Sequence, residues 1–396
     1  MTAVDQGPVA TSTPQRSTEL SAELVDRVRS IGPIIASGVA HANVERELAP
    51  DVVEAMAGAQ LFSMTAPARY GGLGADVRTL SSVIQEIAQY DGSAAWVVMI
   101  TNGGNFYTSR FPAAAQDDVF GANPAARVAS VTSMDCTFAP ADGGIVLNGR
   151  FPFSSGIMHD DWAILGNATQ QALVPKDQFR VERTWDTVGM RGTGSHTTVV
   201  EDVFVPEHRV IEFTKLMGYG ACTDLDVPVE LRLAPFEGSA VIIASVVVGL
   251  GRAMCSLLTD LADRRMIPMT PYPKAADSPV FRAVLGEGMM RMESARLHLA
   301  EAARVLDAAA VAAEMPPDDV LFRLRATISH SVRIVTTALD DLMYMGGASG
   351  FASSSPLQQV WRDANVGARH VVTNAFVNYE WLGAAAVDPG VVAFKP

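Results

Sequence analysis

The sequence predicts a mainly α chain with a small, mainly antiparallel β domain in its middle and a four-helix bundle at its C-terminal end. Three observations carry this. Apolar residues recur at three- and four-residue spacing up to about residue 120 and again from about residue 227. Between these stretches, short β-branched and aromatic runs alternate with Gly, Pro and Asp turns. The last part divides into long periodic stretches separated by Pro- or Gly-containing breaks, the pattern of an up-and-down bundle.

At 396 residues the chain suits two or three packed domains. We place a disordered start at residues 1–17, an N-terminal helical domain at 18–122, a β domain at 123–212 and the bundle at 213–396. The start is rich in Thr, Ser, Pro and Gln without an apolar run, and reads as disordered rather than as a signal peptide. Leu24, Val28, Ile31 and Ile35 mark the apolar face of the first helix, and further helical runs fall at 52–59, 80–90 and 94–109. Asp91-Gly92-Ser93 interrupts the pattern, with Ser93 as the expected N-cap of the helix that follows. Strands are expected at Val128–Thr132, 144–147, 162–165 and 197–205, with Asp142-Gly143-Gly144 as a turn. Bundle helices are expected at 234–265, 279–313, 318–345 and 356–386.

Hydrophobic residues make up 48% and charged residues 18%, enough to bury a large core. The net charge of −13 argues against nucleic acid or an anionic membrane as partner, since both need clustered positive charge. Cys136, Cys222 and Cys255 are isolated and odd in number, so neither a disulfide framework nor a zinc site is expected, and a cytoplasmic location is. The most apolar stretch, 238–251, reads as a core helix too short to cross a bilayer.

Three segments could carry chemistry. Residues 151–162 (FPFSSGIMHDDW) end a strand-like run with two hydroxyls, a glycine and aromatics, which can meet a heteroaromatic ring or simply form a turn. Residues 189–196 (GMRGTGSH) precede a strand, so their glycines do not make the dinucleotide fingerprint, which needs a strand before and a helix after. Residues 345–350 (MGGASG) lead to a helix read as bearing Arg362, Asp363 and His370, with Asp363, Gly367 and His370 on neighbouring faces. The adjacent His159, Asp160 and Asp161 read as a polar turn rather than a metal site. No G-x-S-x-G elbow is present, which weakens a hydrolase reading.

Six segments in this order resemble the acyl-CoA dehydrogenase superfamily from about Leu20 to Leu382: Tyr70–Gly74 (YGGLG), residues 91–96 (DGSAAW), Phe153–Gly156 with Trp162, Trp185 with 189–195, Trp361–Asp363, and His370. Within it the chain looks most like the oxygenase components of two-component flavin monooxygenases. The resemblance implies a diffusible reduced flavin, FMN or FAD, supplied by a separate NAD(P)H:flavin reductase, and O2 activation through a flavin C4a-hydroperoxide. It further implies an aromatic, polyketide-like or heteroaromatic substrate and a homotetramer. Ser154 and Ser155 would sit by the reactive flavin edge, and His370 would lie over the ring as base or hydrogen-bonding group. Phe153, Trp162, Arg191, Gly192, Thr193, Gly194 and Ser195 would hold the flavin, with Gly346 and Gly347 reaching in from a neighbouring subunit. Trp96, Asn102, Asn105 and Tyr107 would face the substrate.

Departures from the family pattern narrow the function. After Arg362-Asp363 no carboxylate follows until Glu380, and 248–253 (VGLGRA) lacks one too, so both places for a dehydrogenase base are empty. The family's flavin-gripping Arg and Phe-Gly signature reads RRMIP at 264–268, which favours a diffusible flavin. Residues 96–112 contain no histidine to bind a phenolate. The alternatives are an acyl-CoA dehydrogenase or oxidase, an amino-sugar N-oxygenase, and a non-catalytic ligand-binding relative.

Overall fold

The computed structural model describes residues 13–388 and 390–393. Six helices come first: α1 (Thr13–Ser37), α2 (Val39–Glu45), α3 (Pro50–Gly58), α4 (Val77–Ile87), α5 (Gly92–Thr108) and α6 (Ala113–Phe120). Residues 13–17, expected to belong to the disordered start, are the first turns of α1; the rest of that expected segment lies outside the described residues. Asp76 caps α4 by accepting from the Thr79 N–H. Asp91, not Ser93, caps α5, because its carboxylate reaches both the Ser93 and Ala94 amides.

Eight strands follow: β1 (Val128–Thr132), β2 (Cys136–Ala141), β3 (Gly144–Ser154), β4 (Trp162–Gly166), β5 (Gln170–Pro175), β6 (Arg180–Glu182), β7 (His196–Pro206) and β8 (Val210–Glu212). They form two four-stranded sheets, ordered β1-β4-β5-β8 and β2-β3-β7-β6. All pairings are antiparallel except β1 with β4. Phe151, Leu147, Val200 and Leu165 fill the core of this layer.

After a four-residue helix α7 (Phe213–Leu216) come α8 (Pro235–Ala262), α9 (Pro279–Ala312), α10 (Asp318–Gly346), α11 (Pro356–Gly367) and α12 (Ala375–Val387). The expected fourth helix over 356–386 is therefore two helices, broken around His370. The apolar run read as 238–251 belongs to the 28-residue α8, long and apolar enough to span a bilayer, yet 83% of its most apolar window is buried in the protein. It packs against α4, α5, α9, α10 and α11 and is the centre of the main core. Helix α5 lies directly on β1: a Cβ at Gly104 would fall 1.8 Å from the Val128 carbonyl oxygen, so only glycine permits that approach. Helix α5 thus joins the β layer to the helices, and the site is built at its N-terminal half.

Candidate active site

Strand β3 slips in register against β7 between Phe151 and Ser154. In an unbroken strand Phe151 and Phe153 would face the same way. Instead Phe153 takes a positive φ of 64°, so Phe151 is buried while Phe153 is 68% exposed. The same bulge turns Ser154 inward, where its hydroxyl donates to the Phe151 carbonyl at 2.8 Å. Ser155 is left facing α5. Only one of the two expected serines, Ser155, turns its hydroxyl away from its own strand, toward Trp96 and Ser195.

Ser155 heads a row of hydroxyls. Trp96 Nε1–H donates to Ser155 Oγ at 3.1 Å; Ser155 Oγ lies 2.7 Å from Ser195 Oγ, and that lies 2.7 Å from Thr193 Oγ1. Thr193 in turn donates to the Met190 carbonyl at 2.8 Å. Each hydroxyl has one proton, so this last bond fixes the direction of all the others. Thr193 has spent its proton, so Ser195 donates to Thr193 and Ser155 donates to Ser195. Ser155 keeps one free lone pair and no free proton.

Met190 is the anchor of that row. Its own φ is 54°. Its carbonyl also accepts from Trp185 Nε1–H at 2.9 Å, and its N–H donates to Asp363 Oδ1 at 2.6 Å. A Cβ at Gly189 would stand 2.5 Å from the Arg362 carbonyl oxygen, so the 189–195 loop is pressed against the backbone of α11. Arg362-Asp363 therefore docks a loop. Burial, with Asp91 nearby, pushes the Asp363 carboxyl up to about 7. Trp185, absent from the residues expected at the site, holds this loop and presents its ring edge-on to Phe153, 6.0 Å between centroids. Its position just before the glycines was the available signal.

His370 lies beyond the end of α11. Its Nδ1 accepts from the Val372 N–H at 3.4 Å and caps a short turn at 371–373. Its ring stands 5.9 Å from that of Trp96, tilted by 57°, and the space a Cβ of Gly367 would occupy lies 3.4 Å from the same indole. Burial lowers His370 to about 4. At neutral pH this imidazole is therefore uncharged, and the bond at Nδ1 leaves its proton on Nε2.

Other expected residues are used differently. Trp162 opens β4 under the Arg209 guanidinium, 5.0 Å from its ring, and packs in the cluster around Phe120 and Ile164. The Arg191 guanidinium donates to the carbonyls of Asn43 and Thr187. Gly192 packs against Ala42 and Ser93, and Gly194 turns with a φ of 53°. Gly346 packs on Leu357, and Gly347, with a φ of 53°, lies beside the Arg265 guanidinium. Asn102 accepts from the Thr65 N–H and donates to the Leu61 and Val98 carbonyls. Asn105 donates to the Phe62 carbonyl, and Tyr107 bonds Ser239 at 2.9 Å. These three side chains staple α5 to its neighbours and do not join the cluster around Ser155. His159 accepts from the Leu48 amide. Asp160, fully buried, accepts from the Thr101 hydroxyl on Oδ1 at 3.2 Å.

A helical domain, a two-sheet β layer and a bundle meeting around these residues define the acyl-CoA dehydrogenase class of fold. The chain matches "Acyl-CoA dehydrogenase, N-terminal domain" over residues 22–118 and "Acyl-CoA dehydrogenase, C-terminal domain" over residues 241–375. It is 30% identical, over 84% of this chain and 91% of the relative, to the flavin-dependent monooxygenase, oxygenase subunit HsaA, of Rhodococcus jostii. Indole-3-acetate monooxygenase of Pseudomonas putida is 29% identical, over 86% of this chain and 87% of that one. Among solved structures, XiaF from a Streptomyces species, determined with FADH2 and glycerol, matches with a TM-score of 0.93 and 42% identity, over 97% and 100% of the two chains. The chain belongs to the acyl-CoA dehydrogenase family, in its branch of flavin-dependent monooxygenases.

Proposed function

We propose that this chain is the oxygenase component of a two-component system, taking reduced FMN or FAD from a separate NAD(P)H:flavin reductase and using O2 to hydroxylate an aromatic, polyketide-like or heteroaromatic molecule. One observation carries the reading: the hydroxyl row ends at Ser155 in a lone free acceptor, beside an exposed phenyl ring and an indole. A flat ring with N–H groups fits that acceptor, and a reduced flavin carries an N5–H that an oxidised flavin lacks. Phe153 and Trp185 would flank it, Ser155 would accept from its reactive edge, and the Gly192–Ser195 backbone would follow another edge. When bound, the flavin supplies the electrons that activate O2. The protein orients both reactants, keeps water out and offers the Nε2–H of neutral His370 as a hydrogen-bond donor. Acyl-CoA dehydrogenation is disfavoured because Asp363 is committed to Met190, and the next carboxylate, Glu380, is exposed on α12.

Self-association completes the proposal. Tyr344, Phe351, Val371, Phe376, Val377 and Trp381 leave apolar surface exposed on the C-terminal helices. Covering it with further copies supports a homotetramer in which Gly346 and Gly347, with Arg265 beside them, reach a neighbour's flavin. The three free cysteines suit a reducing, cytoplasmic setting.

The test supplies chemically reduced FMN or FAD, O2 and a panel of indoles and phenols, and measures hydroxylated product against hydrogen peroxide. Ser155→Ala should lower product per flavin roughly tenfold while peroxide rises; Ser154→Ala, which loses only a bond inside the strand, should leave that ratio unchanged. Tightly held oxidised FAD that bleaches with an acyl-CoA would overturn the reading.

A further inference from the structure

The chain finishes α7 at Leu216 and does not enter α8 until Pro235. The segment between them holds only two short turns, at Gly220–Thr223 and Val229–Leu231. It forms one wall of a cavity of about 570 Å³ between α4, α5 and α8, to which it contributes Val229, Glu230 and Leu233. Asn102, expected to face the substrate, lines the same cavity. The volume suits a molecule of the proposed substrate class, since small-molecule sites measure about 300–1,000 Å³.

One guanidinium fastens both ends of this segment. Arg110, just beyond the end of α5, donates from Nη1 to the Gly218 carbonyl at 2.7 Å and the Leu216 carbonyl at 3.3 Å. Its Nη2 donates to the Leu233 carbonyl at 3.0 Å, and the group lies over the Phe106 ring, 5.0 Å from the centroid. A second tie holds the first end alone. Tyr219 donates to Glu237 Oε2 at 2.9 Å, and Arg325, which pairs with Glu237, donates to the Tyr219 oxygen at 3.2 Å. Glu237 and Arg325 are both buried, so this tie runs into α8 and α10. The middle is fastened only to itself. Arg232 donates to the Val227 and Leu225 carbonyls, and the Asp226 N–H donates to Asp224. The amides of Val227, Leu231 and Arg232 find carbonyls within the same stretch. Residues 224–232 make no hydrogen bond or ion pair outside it among the described residues. A stretch folded on itself and clamped at its ends moves as one body about those clamps.

We propose that residues 219–233 are a strap that lifts as a unit to admit the aromatic substrate, and that Arg110 is the positioning residue that returns it to the closed place. The inference rests on the proposed hydroxylation. With the strap down, Val229, Glu230 and Leu233 complete the cavity wall and water is kept from the substrate. Arg110 acts through the carbonyls of the strap alone, so it governs entry and closure and leaves the chemical step to other residues.

The strap carries its own reporter. Cys222 is buried beside Arg110, and burial pushes its thiol up, so it is unreactive while the strap is closed. Cys255, buried within α8, is the control for opening of the whole fold. The full chain is treated with N-ethylmaleimide, and labelling of each cysteine is followed by mass spectrometry. Arg110→Met should raise the Cys222 rate roughly tenfold or more, as loss of a charged clamp implies, and leave the Cys255 rate unchanged. Tyr219→Phe, which removes one tie and keeps the ring, should raise it less, and it decides the matter should Arg110→Met fail to fold. In hydroxylation assays with reduced flavin, Arg110→Met should raise KM for the substrate by a larger factor than it lowers kcat. An unchanged Cys222 rate in both variants, or equal acceleration at Cys222 and Cys255, overturns the inference. Labelling needs no substrate, so absence of product from every ring tested would count against the proposed hydroxylation and leave the strap to be judged on Cys222.

Discussion

Behind the turn that presents Ser155, Asp160 is fully buried, with Oδ2 lacking a partner among the described residues and standing 2.9 Å from where a Gly156 Cβ would be. Burial pushes its carboxyl up to about 8, against the opposing pull of Arg127 and Lys176 and with Asp161 adding to the rise. In the unfolded chain it would ionise near pH 4 (about 3.9 for a free side chain). Between about pH 4 and about pH 8 the folded state therefore holds the extra proton, and stability falls as pH rises through that window. Asp160→Asn, neutral at every pH and still able to accept from Thr101, should flatten the fall in melting temperature from about pH 5 to about pH 8; a slope equal to that of the parent would show that Asp160 ionises normally. At this scale the sequence reveals residue types better than roles. The pair Ser154-Ser155 is visible as a motif, but the free hydroxyl is decided by the bulge that sets Phe153 at positive φ. Likewise, nothing in the letters Arg362-Asp363 says that the carboxylate is spent on the amide of Met190.

The decisive contact between elements is the docking of the 189–195 loop on α11 through Asp363. Asp363→Ala leaves a buried amide without its acceptor, a cost of about 1–3 kcal/mol. It should lower the melting temperature and weaken reduced-flavin binding several-fold, roughly as a displaced loop would. Asp363→Asn retains an oxygen and should preserve most of both, which calorimetric titration with reduced FMN and FAD under anaerobic conditions would measure. Long periodic helices such as α8, α9 and α10 are legible within a few residues of their ends, and β1 is legible throughout. The short strands β6 and β8 are not, having three residues each and no alternation to detect. Strand β5 is hidden because it is buried almost continuously. The break between α11 and α12 escapes because no proline marks it; it is made by the His370 cap and by Asn374, whose side chain accepts from two amides.

For the molecule as a whole, the order of helical, β and helical parts follows from changes of period along the chain, and the central role of α8 from its apolar run. The site around Ser155 is not legible in this way, since it depends on how a strand bulge, a loop and helices distant in sequence meet. The exposed apolar side chains of Phe351, of Val371 in the turn after α11 and of α12 argue for assembly. If the chain forms the proposed tetramer through this surface, Val371→Glu combined with Phe376→Glu should shift it to smaller species in light scattering, because two buried charges without partners oppose association. An unchanged mass would place the subunit contacts elsewhere.

The row from Trp96 to Met190 has one further implication when regarded as a conduit. Every oxygen in it has its proton committed inward, and the row terminates at an amide carbonyl, which does not take up a proton at neutral pH. Nothing delivered to Ser155 can be relayed to the far end, and nothing can be drawn from there. The row is a fixed frame with a dead end. Any proton required during turnover must come from the open side of the cleft, where His370 and the substrate itself are the groups within reach.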